Sequence, residues 1–337
     1  MKRKKTRIFL LSLFFVLLIA IGAAGGYALY LTDQVKQTAT ESHQELDRGD
    51  KSEKRTKAVN PGSDHISVLF VGVDETAAEA PSRSDALVLA TFNDENKSIK
   101  MVNIPRDSYT YIPEVGYQDK ITHAHAFGGV DATVETVEQM LDVPVDYYVR
   151  LDFQSFVDIV DAIGGITYDV PFDMTEQDSS REAGVIKLEE GVQLLNGEEA
   201  LALARTRKYD SDLARGQRQM DIIQEIISET ISTRSLNNMD SILTSVSENM
   251  KTNLTFDEMI SFKDYLLQKD GLDFDKLQLD GEGMYINGGW YYQVDQESLT
   301  TTIGSLKTHL DMDQPFVETD EPELSPSSGE EQAMPNE

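Results

Sequence analysis

A run of 24 residues without a charge, Ile8 to Leu31, constrains this chain more than any other feature. At about 1.5 Å per residue it forms a helix roughly 36 Å long, enough to cross the hydrocarbon core of a bilayer. Lys2, Arg3, Lys4, Lys5 and Arg7 precede it, and Asp33 follows. That asymmetry keeps the N-terminus in the cytoplasm and exports the rest. A cleaved signal peptide is the competing reading, but its apolar region is usually about 7–15 residues long. The length here predicts an uncleaved anchor. The chain is therefore expected at the cell membrane as a single-pass type II protein. It would have a basic cytoplasmic tail (1–7), a transmembrane helix (8–31) and an extracytoplasmic remainder.

The exported part divides by composition. Residues 32–63 are polar, mixed in charge and end in Asn60-Pro61-Gly62, which reads as a stalk. Residues 311–337 carry nine acids, no base and several prolines. Such a segment buries too little apolar surface to order itself, so it reads as a disordered tail. Between them, residues 64–310 form one domain. The net charge of −29 repels nucleic acid, whose binding depends on basic groups that neutralise phosphates. Cysteine is absent, which removes disulfides and thiolate metal sites.

Within the domain, Ile66–Val73 is a nearly continuous apolar run, the pattern of a strand buried on both faces. Ala86–Phe92 and Ile99–Ile104 read as two more strands joined by a short polar connection. Thr133–Leu141 reads as a helix, Tyr147–Leu151 as a strand and Phe153–Ile163 as a helix stopped by Gly164-Gly165. Ile166–Val170 is a further strand. Asn196-Gly197-Glu198-Glu199 has capping-box spacing. Leu213–Ile231 is a long amphipathic helix and Thr255–Leu267 another. Lys276–Leu279 and Trp290–Val294 look like late strands, and Gly281-Glu282-Gly283 like a turn. The fold class is α/β: a mixed parallel and antiparallel sheet covered by helices on both faces, preceded by one transmembrane helix.

Two constellations carry chemistry. If the first three strands form a meander, Asp74, Asp85, Arg106 and Asp107 meet at one sheet edge, with Arg83 close by. Paired carboxylates there suit a hard divalent cation, although strand-end aspartates also commonly cap turns. The second constellation is Arg205, Arg207, Lys208, Arg215 and Arg218, within fourteen residues of a very acidic chain. At 100° per residue, Arg215 and Gln219 fall in line with Ile222, Ile223 and Ile226, so they point inward; Arg218 lies nearer the margin of that stripe. An inward arginine needs an anionic partner, either a carboxylate such as Asp210 or Asp212 or a bound anion. Guanidinium forks suit phosphate oxygens. His123 and His125 sit at strand-like spacing and read as packing residues, while Lys120 beside them offers another cation. No Gly-x-Ser-x-Gly elbow, Walker loop or His-Glu-x-x-His motif is present.

Taken together, Leu69-Phe70-Val71-Gly72-Val73-Asp74, Arg83-Ser84-Asp85, Asn103-Ile104-Pro105-Arg106-Asp107, Asp161-Ala162-Ile163-Gly164-Gly165 and the block from Arg205 to Gln219 resemble the LytR-CpsA-Psr family of cell-envelope enzymes. The resemblance covers roughly Ser63 to Leu310. The wording His123-Ala124-His125-Ala126 and Arg205-Thr206-Arg207-Lys208 is similar to the teichoic acid transferase members. The resemblance implies a transferase that moves an anionic glycopolymer from an undecaprenyl-pyrophosphate carrier to the C6 hydroxyl of N-acetylmuramic acid in peptidoglycan. It implies Mg²⁺ handled by Asp74 and Asp85, with Mn²⁺ as the alternative ion. It implies pyrophosphate held by Arg106, Arg205, Arg207, Arg215 and Gln219, with Arg83 and Lys120 as helpers. Asp85, then Asp107, is the expected general base. A hydrolase using the same site and a non-catalytic glycopolymer-binding regulator are the other classes to be separated.

Overall fold

The computed structural model describes residues 42–74, 82–230, 250–262, 265 and 272–312. The predicted membrane segment and all but the first two residues of the predicted tail (311–337) lie outside these residues.

Three strands form the expected antiparallel meander: β1 (Ile66–Val73), β2 (Ser84–Asn93) and β3 (Ser98–Asn103). A short hairpin, β4 (Tyr109–Ile112) and β5 (Tyr117–Lys120), follows and leads into α1 (Thr122–Leu141). This helix starts eleven residues before the predicted one. Its axis breaks at Gly128 and Gly129, where Gly129 takes φ 65°. His123 and His125 therefore lie on a helical turn, not a strand. Two residues of alternation cannot separate the two periods, and the turn is fixed locally by His123 Nδ1, 2.7 Å from Asp119 Oδ2.

The chain continues through β6 (Tyr147–Leu151), α2 (Phe153–Ala162) and β7 (Ile166–Val170). Asp152 caps α2 by accepting from the Ser155 amide. Gly164 and Gly165 end it at φ 92° and 86°. Two small two-stranded sheets follow: β8 (Met174–Glu176) with β9 (Ile186–Leu188), and β10 (Gly191–Leu195), which pairs back on β7. Asn196 and Glu199 close the capping box of α3 (Gly197–Arg205). Then come α4 (Asp212–Thr230), β11 (Lys251–Thr252), α5 (Phe256–Ser261) and β12 (Asp273–Gln278). The last elements are β13 (Gly281–Ile286), β14 (Gly289–Val294) and α6 (Gln296–His309). Gly281 to Gly283 is thus strand, not turn. Glycine is needed there for close approach, because a Cβ on Gly281 would sit 2.2 Å from the Gln293 carbonyl oxygen.

The main sheet has the order β11-β6-β1-β2-β3-β12. β1–β6 and β3–β12 are parallel; the other pairs are antiparallel. Period-2 alternation splits its side chains between two cores. Leu69, Val71, Leu87 and Leu89 pack with Val134 and Val137 of α1 and Leu306 of α6. Ile66, Val68, Val88 and Ala90 pack on the other face with Met220 of α4.

From Ser42 onward, the segment read as a stalk is strapped to the domain. His43 bridges to Thr252 of β11. Arg48 donates to Glu138 at 2.7 Å, and Ser52 Oγ donates to the same carboxylate at 2.6 Å. Arg55 makes a two-pronged contact with buried Asp146 at 2.9 and 2.7 Å.

Candidate active site

The meander brings its strand ends to one edge, and a single irregularity there creates the site. Gly72 pairs with Ala86, but Val73 pairs with Ser84. Asp85 is the extra residue of this bulge, a device that re-aims a side chain out of the ladder. Both Asp85 and Ala86 line a cavity of about 700 Å³. One part of its wall is apolar: Phe70, Val149, Phe156, Ile159, Ile222 and Ile226. The other part is charged or polar: Asp85, Arg106, Arg205, Arg207, Arg215 and Gln219. The continuous stripe on α4 explains this division, since its isoleucines run on into Gln219 and Arg215.

Arg106 follows β3 and donates from Nη1 to Asp85 Oδ1 at 2.5 Å. Its Nε lies 3.5 Å from Asp107 Oδ2. Burial pulls the Arg106 pKa down, but the carboxylates of Asp85, Asp107 and Asp212 outweigh it and hold the pKa above the ordinary value. Arg205 ends α3 and stacks over Phe153, 4.2 Å from the ring centre. Burial lowers its pKa, and Asp74 and Asp85 offset only part of that. Arg215, 7% exposed, is lowered by burial, relieved by Asp212 and pushed further down by Arg106 and Arg207. Its Nη1 is 3.0 Å from Asp212 Oδ1. Gln219 accepts from Asn103 Nδ2 at 3.0 Å and donates to the Ala204 carbonyl at 3.2 Å, tying α4 to β3 and α3.

Three buried guanidinium nitrogens, Arg106 Nε, Arg205 Nη1 and Arg215 Nε, have no hydrogen-bond acceptor among the described residues. Buried charged donors rarely stay unsatisfied. Phosphate oxygens reaching this end of the cavity would satisfy them.

A model of the LytR_cpsA_psr family matches residues 29–308. This chain belongs to the LytR-CpsA-Psr family. It is 41% identical over 301 residues to the polyisoprenyl-teichoic acid–peptidoglycan teichoic acid transferase TagT of Bacillus subtilis, covering 87% of this chain and 91% of that protein. A solved structure of TagT bound to LIIa-WTA superposes with a TM-score of 0.69 at 41% identity, over 80% of this chain and all of that one. A TagT structure with bound octaprenyl pyrophosphate lipid superposes at 0.64 with 38% identity, over 80% of this chain and all of that one.

In this LytR-CpsA-Psr protein the remaining predicted site residues stand back from the cavity wall. Asp107 is buried and accepts from Lys120 Nζ at 2.7 Å. Arg83 is exposed. Asp74 accepts from Arg181 Nη2 at 2.6 Å. Arg181 carried no sequence signal, because it lies in the polar β8–β9 connection, remote in the chain. Arg218 departs from its predicted marginal place. It is buried and donates to the carbonyls of Leu203 at 3.2 Å and Thr206 at 2.8 Å, and to the Asp210 carboxylate. The link between α3 and α4 folds back over that side of the helix and covers it. Of the two carboxylates weighed as structural partners, Asp210 thus serves Arg218 and Asp212 serves Arg215.

Among the described residues no group of three or more His, Asp or Glu side chains is arranged to hold a metal. The donor set still fits Mg²⁺ in its usual protein environment. Asp85 is the bulge residue itself and Asp74 follows the strand opposite it, and both act on the charge of Arg205. Two carboxylates completed by water and substrate phosphates are a normal complement for that ion.

Proposed function

We propose that this protein transfers an anionic glycopolymer, wall teichoic acid by the kinship above, from an undecaprenyl-pyrophosphate carrier to the C6 hydroxyl of N-acetylmuramic acid in peptidoglycan. It does so with Mg²⁺ or Mn²⁺, at the outer face of the cell membrane, held by its own N-terminal span. The observation that carries the reading is the cavity itself. Its apolar length ends in buried guanidinium nitrogens without acceptors among the described residues, which matches a prenyl chain ending in pyrophosphate.

Arg205, Arg207, Arg215 and Gln219 bind the pyrophosphate, with Arg83 and Lys120 assisting from the rim. Asp74 and Asp85 hold the metal, which supplies positive charge to the phosphoryl oxygens when bound. The acceptor C6 oxygen attacks the phosphorus that carries the polymer. That oxygen–phosphorus bond forms as the bond from the same phosphorus to the bridging oxygen breaks. The products are a phosphodiester and undecaprenyl phosphate. Asp85 takes the hydroxyl proton, or Asp107 does so if Asp85 is committed to the metal. Arg106 steadies the charge that develops on the phosphoryl oxygens and leaving phosphate.

A hydrolase would use the same residues with water as acceptor. Labelled lipid-linked polymer incubated with wild-type protein and peptidoglycan oligomers separates the two. Polymer joined to the oligomers supports transfer, and label found only as free polymer refutes it. Asp85→Asn should stop transfer while octaprenyl pyrophosphate still binds. Turnover at the wild-type rate removes Asp85 as the base.

A further inference from the structure

The solvent face of the β4–β5 hairpin is aromatic where a polar face is expected. Residues two apart, and residues directly opposite in an antiparallel pair, share a face. Tyr109 lies opposite Lys120 and Tyr111 opposite Gln118, so these four share one face. Thr110 and Ile112 take the other face and are buried. Tyr111 is 43% exposed. The face continues onto β14, which meets this ribbon at the bridge between Ser108 and Tyr292. Tyr291 packs edge-on against Tyr109 with ring centres 5.2 Å apart. The inner end of the face joins the site: Lys120 Nζ is 5.3 Å from the Tyr291 ring centre and bonds to Asp107, which neighbours Arg106.

We propose that Tyr109, Tyr111 and Tyr291 form the docking surface for the acceptor, the glycan strand of peptidoglycan. This rests on the transferase reading. Tyrosine rings offer a flat apolar body with a polar tip, which suits the C–H-bearing faces and hydroxyl rims of pyranose rings. The pyranose rings that these side chains would meet are uncharged, so the contact itself adds no anion to a chain of net charge −29. The donor's prenyl chain follows the apolar wall built from β1, β6, α2 and α4, whereas the tyrosines extend from the Asp107 side of Arg106. Acceptor and prenyl chain would thus use separate surfaces that meet at Arg106. Tyr117 belongs to the other face of the hairpin, against Phe127, and has no part in this surface.

The test uses the full-length protein in lipid vesicles with lipid-linked donor and uncross-linked glycan strands. Tyr109→Ala/Tyr111→Ala should raise the KM for strands, and the Kd for strands measured without donor, by about tenfold. The donor KM, octaprenyl pyrophosphate binding and kcat at saturating strands should stay at wild-type values. Tyr111→Ala alone, at an exposed position, should show the same direction without a folding defect, and Tyr117→Ala should show neither change. Unchanged strand affinity in the double variant overturns the proposal, as does an equal loss of donor affinity, which would make the face a donor-sugar site. If the wild type binds strands but transfers nothing to them, the transferase reading fails while strand binding by the variants still decides the surface.

Discussion

Arg215 and Arg218 are both buried on one helix, three residues apart, yet they should respond oppositely to the same substitution. Arg218→Gln removes donors to two carbonyls and a carboxylate inside the protein. Removing one partner of such a buried charged network costs about 3–5 kcal/mol, which lowers Tm by roughly 10 °C for a domain of this size. Arg215 is held by Asp212 at 3.0 Å but crowded by Arg106 and Arg207. Burial and this repulsion outweigh the attraction of Asp212, so Arg215→Gln should change stability by less than about 1 kcal/mol. Its effect should fall on ligand binding. Losing one charge-assisted bond to phosphate costs about 1.5–3 kcal/mol, or roughly 10- to 150-fold in Kd. Thermal unfolding and titration with octaprenyl pyrophosphate on both variants supply the two readouts. If Arg215→Gln loses as much Tm as Arg218→Gln and binds the lipid as tightly as wild type, the assignment of Arg215 to the ligand is wrong.

Other consequences can be checked separately. Gly216 lies where α4 crosses β3, and a Cβ there would sit 2.4 Å from Asn103 Oδ1; Gly216→Ala should therefore cost about 1–3 kcal/mol in denaturant unfolding, and an unchanged midpoint would contradict the close approach. His309 is buried between the hydroxyls of Thr91 at 2.8 Å and Ser98 at 2.7 Å, and burial, with Lys100 and His65 adding repulsion, pushes its pKa down to about 4. The unfolded state then binds the extra proton, so this stabilisation is complete above about pH 6.5 and is lost as pH falls toward 4, by about 2 kcal/mol after allowing for screening; His309→Gln should flatten that part of the stability–pH curve. Arg181 competes for Asp74, and as a half-exposed pair it is worth at most about 1 kcal/mol. Arg181→Ala should therefore tighten Mn²⁺ binding by up to about fivefold, measured by electron paramagnetic resonance; unchanged affinity argues that Asp74 is not a ligand.

The parts of this molecule that repeat a period were legible in its sequence. The apolar run of β1, the meander, the capping box at Asn196 and the inward turn of Arg215 and Gln219 all follow from local rules, and the structure realises each. The bulge at Asp85 was not legible, because one unpaired residue leaves no mark on a short alternating pattern. Neither was the fate of Arg218, whose partners come from the chain folding back between α3 and α4. Arg181 reaches Asp74 from 107 residues away, and no spacing rule spans such a distance. The β4–β5 and β13–β14 hairpins were missed wholly or in part, since strands of four to six residues with solvent-facing tyrosines or glycines resemble loops.

The strap from Ser42 to Ser63 has a consequence for how the enzyme finds its lipid. Only ten residues, 32–41, separate Leu31 at the end of the predicted span from the first docked residue. Fully extended, they reach about 36 Å at most. The leash is fastened at His43 to Thr252, two positions from Met250 in the cavity wall. With the predicted span in the membrane, the cavity wall at Met250 would stay within about one bilayer thickness of the headgroups. If that anchor holds, the search for a carrier becomes a two-dimensional one, among lipids diffusing within reach of the leash.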